Sequence, residues 1–593
     1  MMRTIALALF LLGALTLSMA EPNAGYPQSL QKLNDEFMQS FFRFQPSAGT
    51  RAGFHQFDSQ MESYAPQRVA KQVAIYRDYV HRLEALDTRG WSRWALDDRE
   101  MLLCFVRSRI FELETQRVWQ KNPDYYSSVL SDSTFLLMGR NFDTPEVRLA
   151  ALVAREKQMP TLLREARGNL RNPPRIFTEI ALEQLPGIID FFRKDVPQTF
   201  ADVKDTKLQT EFAASNAGVV EALIEYQSWI KRDLLPHSHG DFRLGANNLR
   251  RKLADEEMID VSLPRLLQVG MEDLRRNQHE FQRVANLIDP SKTPTQLLQA
   301  IELEHPPADG LLQAFRDKLT GIREFTDTHA IITTPGRTLP ILQETPPFMR
   351  ATTFASMDAP GPFETHATEA FFNVTLPEKD WTPQQVEEYM AAYNWGVVTS
   401  TAIHEVIPGH YEQYLWNEHV PSKIRQFLSL DLSNIGSHFA GTNVEGWAHY
   451  TEQMMIDEGY GRTPSIPEEK DTAYLKLRLG QLQDALLRNA RYVVAIQMHT
   501  GRMTIAEATD FFVKEGYQTR PNAEREVKRG TGDPTYLMYA LGKLQIRKLR
   551  EDWTRRQSGA VEPRQFHDLF MQQGVAPVKV IRRALLGDDS ATL

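Results

Sequence analysis

The sequence has 593 residues, of which 42% are apolar and 24% charged, and its formal net charge is −8 at pH 7. A chain of this length exceeds the usual size of one hydrophobic core, so we expect at least two lobes. Nucleic-acid binding requires a concentrated basic surface, and the weakly acidic balance without long like-charge blocks excludes a nucleic-acid partner.

The first twenty residues have the pattern of a signal peptide. Arg3 supplies a positive start, residues 5–17 form an apolar stretch, and small residues precede a cleavage position after Ala20. The alternative is a retained membrane anchor, but the stretch is shorter than the roughly 20 residues of a bilayer span. We therefore predict a periplasmic or secreted protein with no stable membrane span after cleavage. The lone cysteine, Cys104, leaves none near the cut to receive a lipid.

Successive amphipathic helices are predicted for residues 21–290, the N-terminal helical region. Thr144, followed by proline, is typical of a helix N-cap, and another helical pattern starts at Glu221. Thr293 and the proline after it predict the start of a further helix in a second region, 291–593. We expect the two regions to form one integrated fold.

A small sheet is predicted between residues 329 and 377. Three short β-branched or aromatic runs occur there, namely "HAIITTP", "TLPILQE" and "EAFFNVTLP". Thr382 then begins a capping box, and one long helix is predicted from there to Val406. The predicted fold class is mainly α: a large multi-helix, two-lobed cleft protein with a small β-sheet beside this helix.

The end of that helix carries "HEVIPGH", residues 404–410. In the zinc-protease pattern H-E-x-x-H, two histidines lie one helical turn apart. Here the second histidine, His410, comes six residues after His404, which leaves it roughly 240° away on a straight helix. Pro408 and Gly409 permit a break that would return His410 to the same side. The alternative is that His410 only caps carbonyl groups at the helix end.

A second segment, "NVEGWAHYTEQMMIDEGYG", predicts a helix that ends at Gly459 and offers a further ligand. Glu445, His449 and Glu452 share one face of that helix. Two histidines and a glutamate are an established zinc set in hydrolases. We therefore predict His404, His410 and Glu445 as ligands of one zinc ion, with Glu405 as the base that takes a proton from water. His438 is the alternative second histidine ligand.

These motifs resemble known families. "EGWAHYTE" is similar to the E-G-F-A-x-Y-x-E segment of gluzincin-type zinc aminopeptidases, in which the first glutamate is the third zinc ligand. Together with "HEVIPGH" it resembles the bacterial family known as domain of unknown function 885, which is peptidase-like. "PSAGTRAGFHQFDSQM", "LRNARYVVAIQMHTGRMTIAEATDFF" and "EREVKRGTGDPTYLMYALGKLQIRKLR" match further motifs of that family, so the resemblance covers nearly the whole mature chain. The family commonly has H-H-L-Q where this chain has "HYEQ".

The resemblance implies that residues 291–593 form a metallopeptidase-like catalytic region. In its last motif, Tyr539 is a candidate to stabilise the oxyanion, and Tyr536 lies on the same helix face. The further candidates for positioning a ligand or binding substrate are His449, Glu452, His499, Asn373, Arg488, Arg491 and Arg529. Each has a purely structural alternative. The tyrosine would be a core residue, His499 a hydrogen-bonded core histidine, and the arginines members of surface salt bridges.

The predicted function is that of an exported zinc-dependent metallopeptidase that holds one Zn²⁺ per chain and acts on peptides or small amides. Two alternatives stay open. One is a non-catalytic exported protein of the same fold that binds peptides or envelope components. The other is a zinc hydrolase of non-peptide esters or amides. The sequence does not distinguish exopeptidase from endopeptidase action or determine the oligomeric state.

Overall fold

The computed structural model describes residues 26–336, 338–346, 350, 353–433, 436 and 438–593. The predicted signal peptide, residues 1–20, lies outside these ranges. Among the described residues, no helix combines the length and the apolar character that crossing a membrane requires.

Helices dominate the N-terminal half of the chain. Those before residue 290 are α1 (Gln28–Phe44), α2 (Pro46–Arg51), α3 (Pro66–Glu84), α4 (Arg93–Phe111), α5 (Val118–Lys121), α6 (Pro123–Met138), α7 (Pro145–Glu156), α8 (Met159–Asn169), α9 (Arg175–Asp190), α10 (Val196–Thr199), α11 (Thr206–Trp229), α12 (Ala246–Glu257) and α13 (Leu263–Ile288). Thr144 caps α7 as predicted, since its side chain accepts a hydrogen bond from the Val147 N–H. The helix expected to start at Glu221 instead belongs to α11, which begins at Thr206, because Asp205 supplies the N-cap.

Helices also make up most of the C-terminal half. They are α14 (Pro294–Glu302), α15 (Leu311–Thr328), α16 (Pro383–Met390), α17 (Trp395–Glu405), α18 (His410–Asn417), α19 (Lys423–Leu428), α20 (Gly441–Asp457), α21 (Thr472–His499), α22 (Ile505–Lys514), α23 (Arg520–Gly532), α24 (Met538–Thr554), α25 (Pro563–Met571) and α26 (Val578–Leu586). The predicted capping box at Thr293 is present at the start of α14. The mainly α, multi-helix fold class with a small sheet is thus confirmed, whereas the two lobes and the cleft stay a prediction.

The single long helix predicted from Thr382 to Val406 is wrong. The capping box at Thr382 is present, but α16 ends at Met390 and α17 starts separately. Asn394 causes the restart, because its side-chain oxygen accepts hydrogen bonds from the N–H groups of Gly396 and Val397. His404 and Glu405 therefore lie at the end of a short helix, α17, that has its own N-cap.

The small sheet has three strands, β1 (Ile341–Glu344), β2 (Ala355–Asp358) and β3 (Phe371–Val374). Their order is β1-β3-β2, with β3 parallel to β1 and antiparallel to β2. Two of the predicted runs contain β1 and β3, but "HAIITTP" forms no strand. β2 lies in "FASMD"; its own four residues include none that is β-branched or aromatic, and it was not predicted.

The apolar core is continuous across the predicted boundary at residue 290. The largest cluster of buried apolar side chains extends from Leu30 in α1 to Leu586 in α26. A smaller cluster joins Leu274 and Phe281 of α13 to Leu475 of α21. The boundary therefore lies at the end of a helix, and residues before and after it pack into the same apolar clusters.

Helices α20 and α24 cross at two glycines. A Cβ atom on Gly446 would lie 2.4 Å from the Gly542 Cα, and one on Gly542 would lie 1.9 Å from the Thr442 carbonyl oxygen. Only glycine permits so close an approach of two backbones. Glu445 directly precedes Gly446, so the crossing brings it close to the start of α24, where Tyr539 lies.

Candidate metal centre

The chain between the two motif histidines leaves helical geometry and then resumes it. Helix α17 ends at Glu405, and Val406 has φ −116° and ψ −81°. The Ile407–Pro408 peptide bond is cis, and α18 begins at His410. A Cβ atom on Gly409 would lie 1.8 Å from the His404 carbonyl oxygen, so no larger residue fits there. The six-residue spacing is thus distributed over two helices.

Three side chains from α17, α18 and α20 converge at this break. The Nε2 atoms of His404 and His410 each lie 3.5 Å from Oε2 of Glu445. The two imidazole rings are 4.8 Å apart and nearly perpendicular. Among the described residues, these are the three whose ligand atoms group closely enough to hold a metal ion, all lying within 4.8 Å of one another.

The geometry fits zinc. Two ligand atoms held tetrahedrally at the usual zinc distance of about 2.0–2.1 Å are roughly 3.4 Å apart, close to the spacing observed here. Oε2 of Glu445 is buried and accepts no hydrogen bond from the described residues. A buried carboxylate oxygen in that condition is costly unless a cation satisfies it.

The charges around the group favour a cation. Burial alone would lower the pKa of His404, but the carboxylates of Glu445 and Glu452 raise it to about 10. Burial would raise the pKa of Glu445, yet the two imidazoles hold it well below its ordinary range. Positive charge is therefore strongly stabilised between these side chains, whether a proton or a metal ion carries it.

Glu452 fixes the orientation of His404. Its Oε1 lies 2.6 Å from Nδ1 of His404, its Oε2 lies 2.9 Å from Nδ1 of His449, and Arg488 approaches Oε1 at 3.0 Å. Burial would raise the pKa of Glu452, but Arg488 and the two histidines keep it well below the ordinary value. Since Nδ1 of His404 is engaged by this carboxylate, Nε2 is the nitrogen that faces Glu445.

Glu405 lies beside the ligand group and contacts the sheet. Its Oε2 accepts a hydrogen bond from the backbone N–H of Met357 in β2 at 3.0 Å. Burial raises the pKa of Glu405 above its ordinary value, against the opposing effect of His404 and His410. A raised pKa suits a carboxylate that must take up a proton near neutral pH.

Tyr539 also lies close to His404. Their rings are 6.5 Å apart and nearly parallel. The Tyr539 hydroxyl accepts a hydrogen bond from Nη2 of Arg529 at 3.2 Å. The guanidinium groups of Arg488, Arg491 and Arg529 all lie over its ring. The structure therefore brings all three predicted arginines to this one tyrosine.

The remaining predicted residues lie elsewhere. His438 faces Asp533 at 3.8 Å and is not part of the ligand group, so the alternative in which it replaces His410 has no geometric support. His499 binds the Gly530 carbonyl through Nε2 at 2.8 Å. Tyr536 is fully buried beside the same glycine. His499 and Tyr536 are therefore placed as core residues, which is the structural alternative for each.

Asn373 lies in the central strand β3, where its side-chain oxygen accepts a hydrogen bond from Gln343. The run "AFFNVTL", residues 370–376, thus contains the interior strand of the sheet. The strand beside Glu405 is β2, which is at the edge of the sheet.

A buried polar layer behind His449 was missed from the sequence. Lys543 of α24 is fully buried, and its Nζ lies 3.8 Å from Oδ2 of Asp273. Asn489 donates to the same carboxylate oxygen at 2.7 Å. A lysine within the apolar stretch "YALGKLQI" was the available signal, because a buried lysine requires a charged partner.

Comparison with known proteins gives a family and a fold. A family model described as bacterial protein of unknown function (DUF885) matches residues 46–585. Two solved structures, each described as a putative lipoprotein, are similar over 94% of this chain. The one from Shewanella oneidensis, of unknown function, is 24% identical with a TM-score of 0.77 and is covered fully. The one from Colwellia psychrerythraea is 18% identical with a TM-score of 0.76 and is covered to 99%. No curated protein matches the sequence.

Proposed function

Because the chain belongs to the DUF885 family of bacterial proteins of unknown function, its chemistry must be inferred from its own side chains, and we propose that it is an exported zinc-dependent peptidase. The observation that carries this proposal is the convergence of His404, His410 and Glu445, with Glu405 next to them. The Nε2, Nε2 and Oε2 atoms of the three side chains would hold the ion. When bound, zinc would polarise a substrate carbonyl and lower the pKa of water.

Glu405 is positioned to act as the general base. The Met357 N–H donates a hydrogen bond to one oxygen of the Glu405 carboxylate. This bond also fixes the orientation of the other oxygen. We assign to Glu405 the removal of a proton from the attacking water and its delivery to the leaving amine. Its raised pKa supports both steps, because the protonated form must persist between them.

Tyr539 is assigned the stabilisation of the oxyanion. Its oxygen accepts a hydrogen bond from Arg529, so its own proton is available for donation. Three neighbouring guanidinium groups also favour negative charge close to it. A donor aimed at the developing oxyanion contributes typically 10²–10³ in rate, roughly 2.7–4 kcal/mol.

The outer edge of β2, which does not pair with β3, supports a peptide as the substrate. Thr375 donates to the Phe354 carbonyl, and the register pairs Ser356 with Asn373, so the backbone groups of Met357 point away from β3. The Met357 N–H contacts Glu405, and its carbonyl lies on the same outer edge. An extended peptide can align there through backbone hydrogen bonds.

Metal content and hydrolysis test the proposal together. We expect about one zinc per chain in the mature protein purified without chelator, and little in Glu445→Ala. Glu405→Gln should retain zinc but lose at least 100-fold in hydrolysis of a mixed peptide pool. A parent protein that holds no zinc after reconstitution, or full activity in Glu405→Gln, would refute the mechanism. Matched ester substrates in the same assay identify esterase action.

A further inference from the structure

Three arginines surround Tyr539, but they differ in accessibility. The guanidinium carbon atoms of Arg488, Arg491 and Arg529 lie 5.7, 5.2 and 5.9 Å from the centre of its ring. The side chain of Arg529 is 41% exposed, against 12% for Arg488 and 10% for Arg491. Arg529 thus has the most accessible side chain of the three.

The two buried arginines already have carboxylate partners. Arg491 binds Glu526 through two hydrogen bonds of 2.7 and 2.8 Å, and Arg488 lies 3.0 Å from Glu452. In the described chain, the closest carboxylate oxygen recorded for Arg529 is Oδ2 of Asp533, at 3.6 Å, beyond hydrogen-bonding distance. Its Nη2 donates to the Tyr539 hydroxyl at 3.2 Å. A guanidinium group prefers two parallel hydrogen bonds to one carboxylate, and Arg529 has capacity for them.

Arg529 is also close to the ligand group. The Tyr539 ring lies 6.5 Å from the ring of His404 and 5.9 Å from the Arg529 guanidinium carbon. These two distances together are shorter than four residues of extended chain, at about 3.3 Å each. A carboxylate bound to Arg529 therefore lies within about three residues of a bond held at the metal ligands.

We propose that Arg529 binds the free α-carboxylate of a peptide, so that the protein acts at the carboxyl end of its substrates. The binding stands on the geometry alone, whereas the cleavage rests on the proposed peptidase function. In that cleavage the water oxygen bonds to the scissile carbonyl carbon, the C–N bond breaks, and Glu405 carries a proton to the leaving amine. The released fragment is one to three residues long and keeps the carboxylate held by Arg529.

Binding is measured without turnover in the full-length mature Glu405→Gln protein. The probe is an equimolar pool of N-acetylated tetrapeptides, randomised in sequence, as free acids and as carboxyl-terminal amides. Retention by the protein is quantified by ultrafiltration and mass spectrometry, with and without added zinc. We expect free acids to be retained at least tenfold over amides.

Arg529→Gln added to that background should bring the ratio of acid to amide close to one. Lys528→Gln is the matched control, because Lys528 is adjacent and pairs with Glu183 away from Tyr539. It should keep the preference. Arg529→Lys should recover part of it, since lysine restores the charge without the fork. Circular dichroism of each variant verifies folding.

Equal retention of acids and amides by the parent, or a preference that survives Arg529→Gln, would overturn the inference. With the zinc-loaded wild type and longer N-acetylated peptides, cleavage more than three residues from the carboxyl end would also overturn it. A binding preference that depends on Arg529, without hydrolysis of any peptide, would refute only the proposed peptidase function.

Discussion

At the level of single residues, Glu452 is the carboxylate on which the orientation of His404 depends. It binds Nδ1 of His404 and is itself held by His449 and Arg488. A ligand imidazole positioned in this way is a stronger and better-aligned donor to the metal.

Replacement of Glu452 by glutamine should lower zinc affinity about 10- to 100-fold, because the neutral amide binds the imidazole N–H more weakly. Competition with a fluorescent chelator measures this. Glu458→Gln is the control, since Glu458 follows the same helix but pairs with Arg550. Unchanged zinc affinity in Glu452→Gln would show that His404 is positioned by other contacts.

Glu257 caps the helix that supplies the third ligand. Its Oε2 accepts hydrogen bonds from the backbone N–H and the hydroxyl of Thr442, in the first turn of α20. Burial raises the pKa of Glu257 to about 8. The folded protein therefore holds this proton more tightly than the unfolded chain does, whose ordinary glutamate pKa is about 4.3.

The sign of the pH dependence follows. The stabilisation by the proton on Glu257 is complete below about pH 4 and is lost as the pH rises through about 8. Glu257→Gln keeps the acceptor but cannot ionise, so between pH 5 and 9 it should gain stability relative to the wild type. The gain is on the order of a few kcal/mol, at about 1.4 kcal/mol per pKa unit. Urea unfolding across this range measures it, with the exposed Glu272→Gln as control. A constant difference between Glu257→Gln and the wild type would contradict the assignment.

At the scale of the elements, the crossing of α20 and α24 determines how close Glu445 comes to Tyr539. Both helices present a glycine at the contact, and the atom nearest to a Cβ on Gly542 is a backbone carbonyl that cannot rotate away. Any side chain at this point must separate the helices.

Gly542→Ala should therefore destabilise the protein by about 1–3 kcal/mol or more, the usual range for overpacking. Gly218→Ala is the matched control in the interior of α11, where nothing lies within 4 Å of the added Cβ. It should instead stabilise by roughly 0.5–1 kcal/mol. Urea unfolding of both variants is the measurement. Equal stability of Gly542→Ala and the wild type would mean that the crossing tolerates a wider separation.

At the scale of the whole molecule, a buried ion pair joins the two halves of the chain. Asp98 of α4 accepts hydrogen bonds from Arg425 and Ser422, at 2.7 and 2.6 Å. Both members of the ion pair are almost fully buried, and the Arg425 guanidinium stacks on Trp94. The pair connects α4 to α19, across the boundary at residue 290.

Asp98→Ala should cost about 3–5 kcal/mol, because it leaves the Arg425 charge buried and unpaired. Asp35→Ala removes the partner of the exposed Lys423 at the same interface, and should cost at most about 1 kcal/mol. Thermal and urea unfolding of the two variants compare these costs. A similar small loss in both would show that water reaches Arg425 when Asp98 is removed.

The sequence predicted much of the fold and part of the candidate site. Local signals were sufficient where a side chain bonds to its own helix, so the caps at Thr144, Thr293 and Thr382 are confirmed. They failed at Asn394, whose capping role is concealed within a continuous apolar stripe. β2 was missed because none of its four residues is β-branched or aromatic, and its pairing with β3 follows only from the tertiary structure.

What the sequence by itself determined is the chemistry available: two histidines and a glutamate for a cation, a neighbouring carboxylate, and a proline-glycine pair between the histidines. It also determined that helices would carry them, because hydrophobic periodicity depends only on neighbouring residues. Tertiary structure decided which of these groups meet. The approach of His410 to Glu445, the contact of Met357 with Glu405 and the position of the Tyr539 ring beside His404 each join segments far apart in the chain. Periodicity identifies the buried face of a helix, but the partner of that face follows only from packing the whole chain.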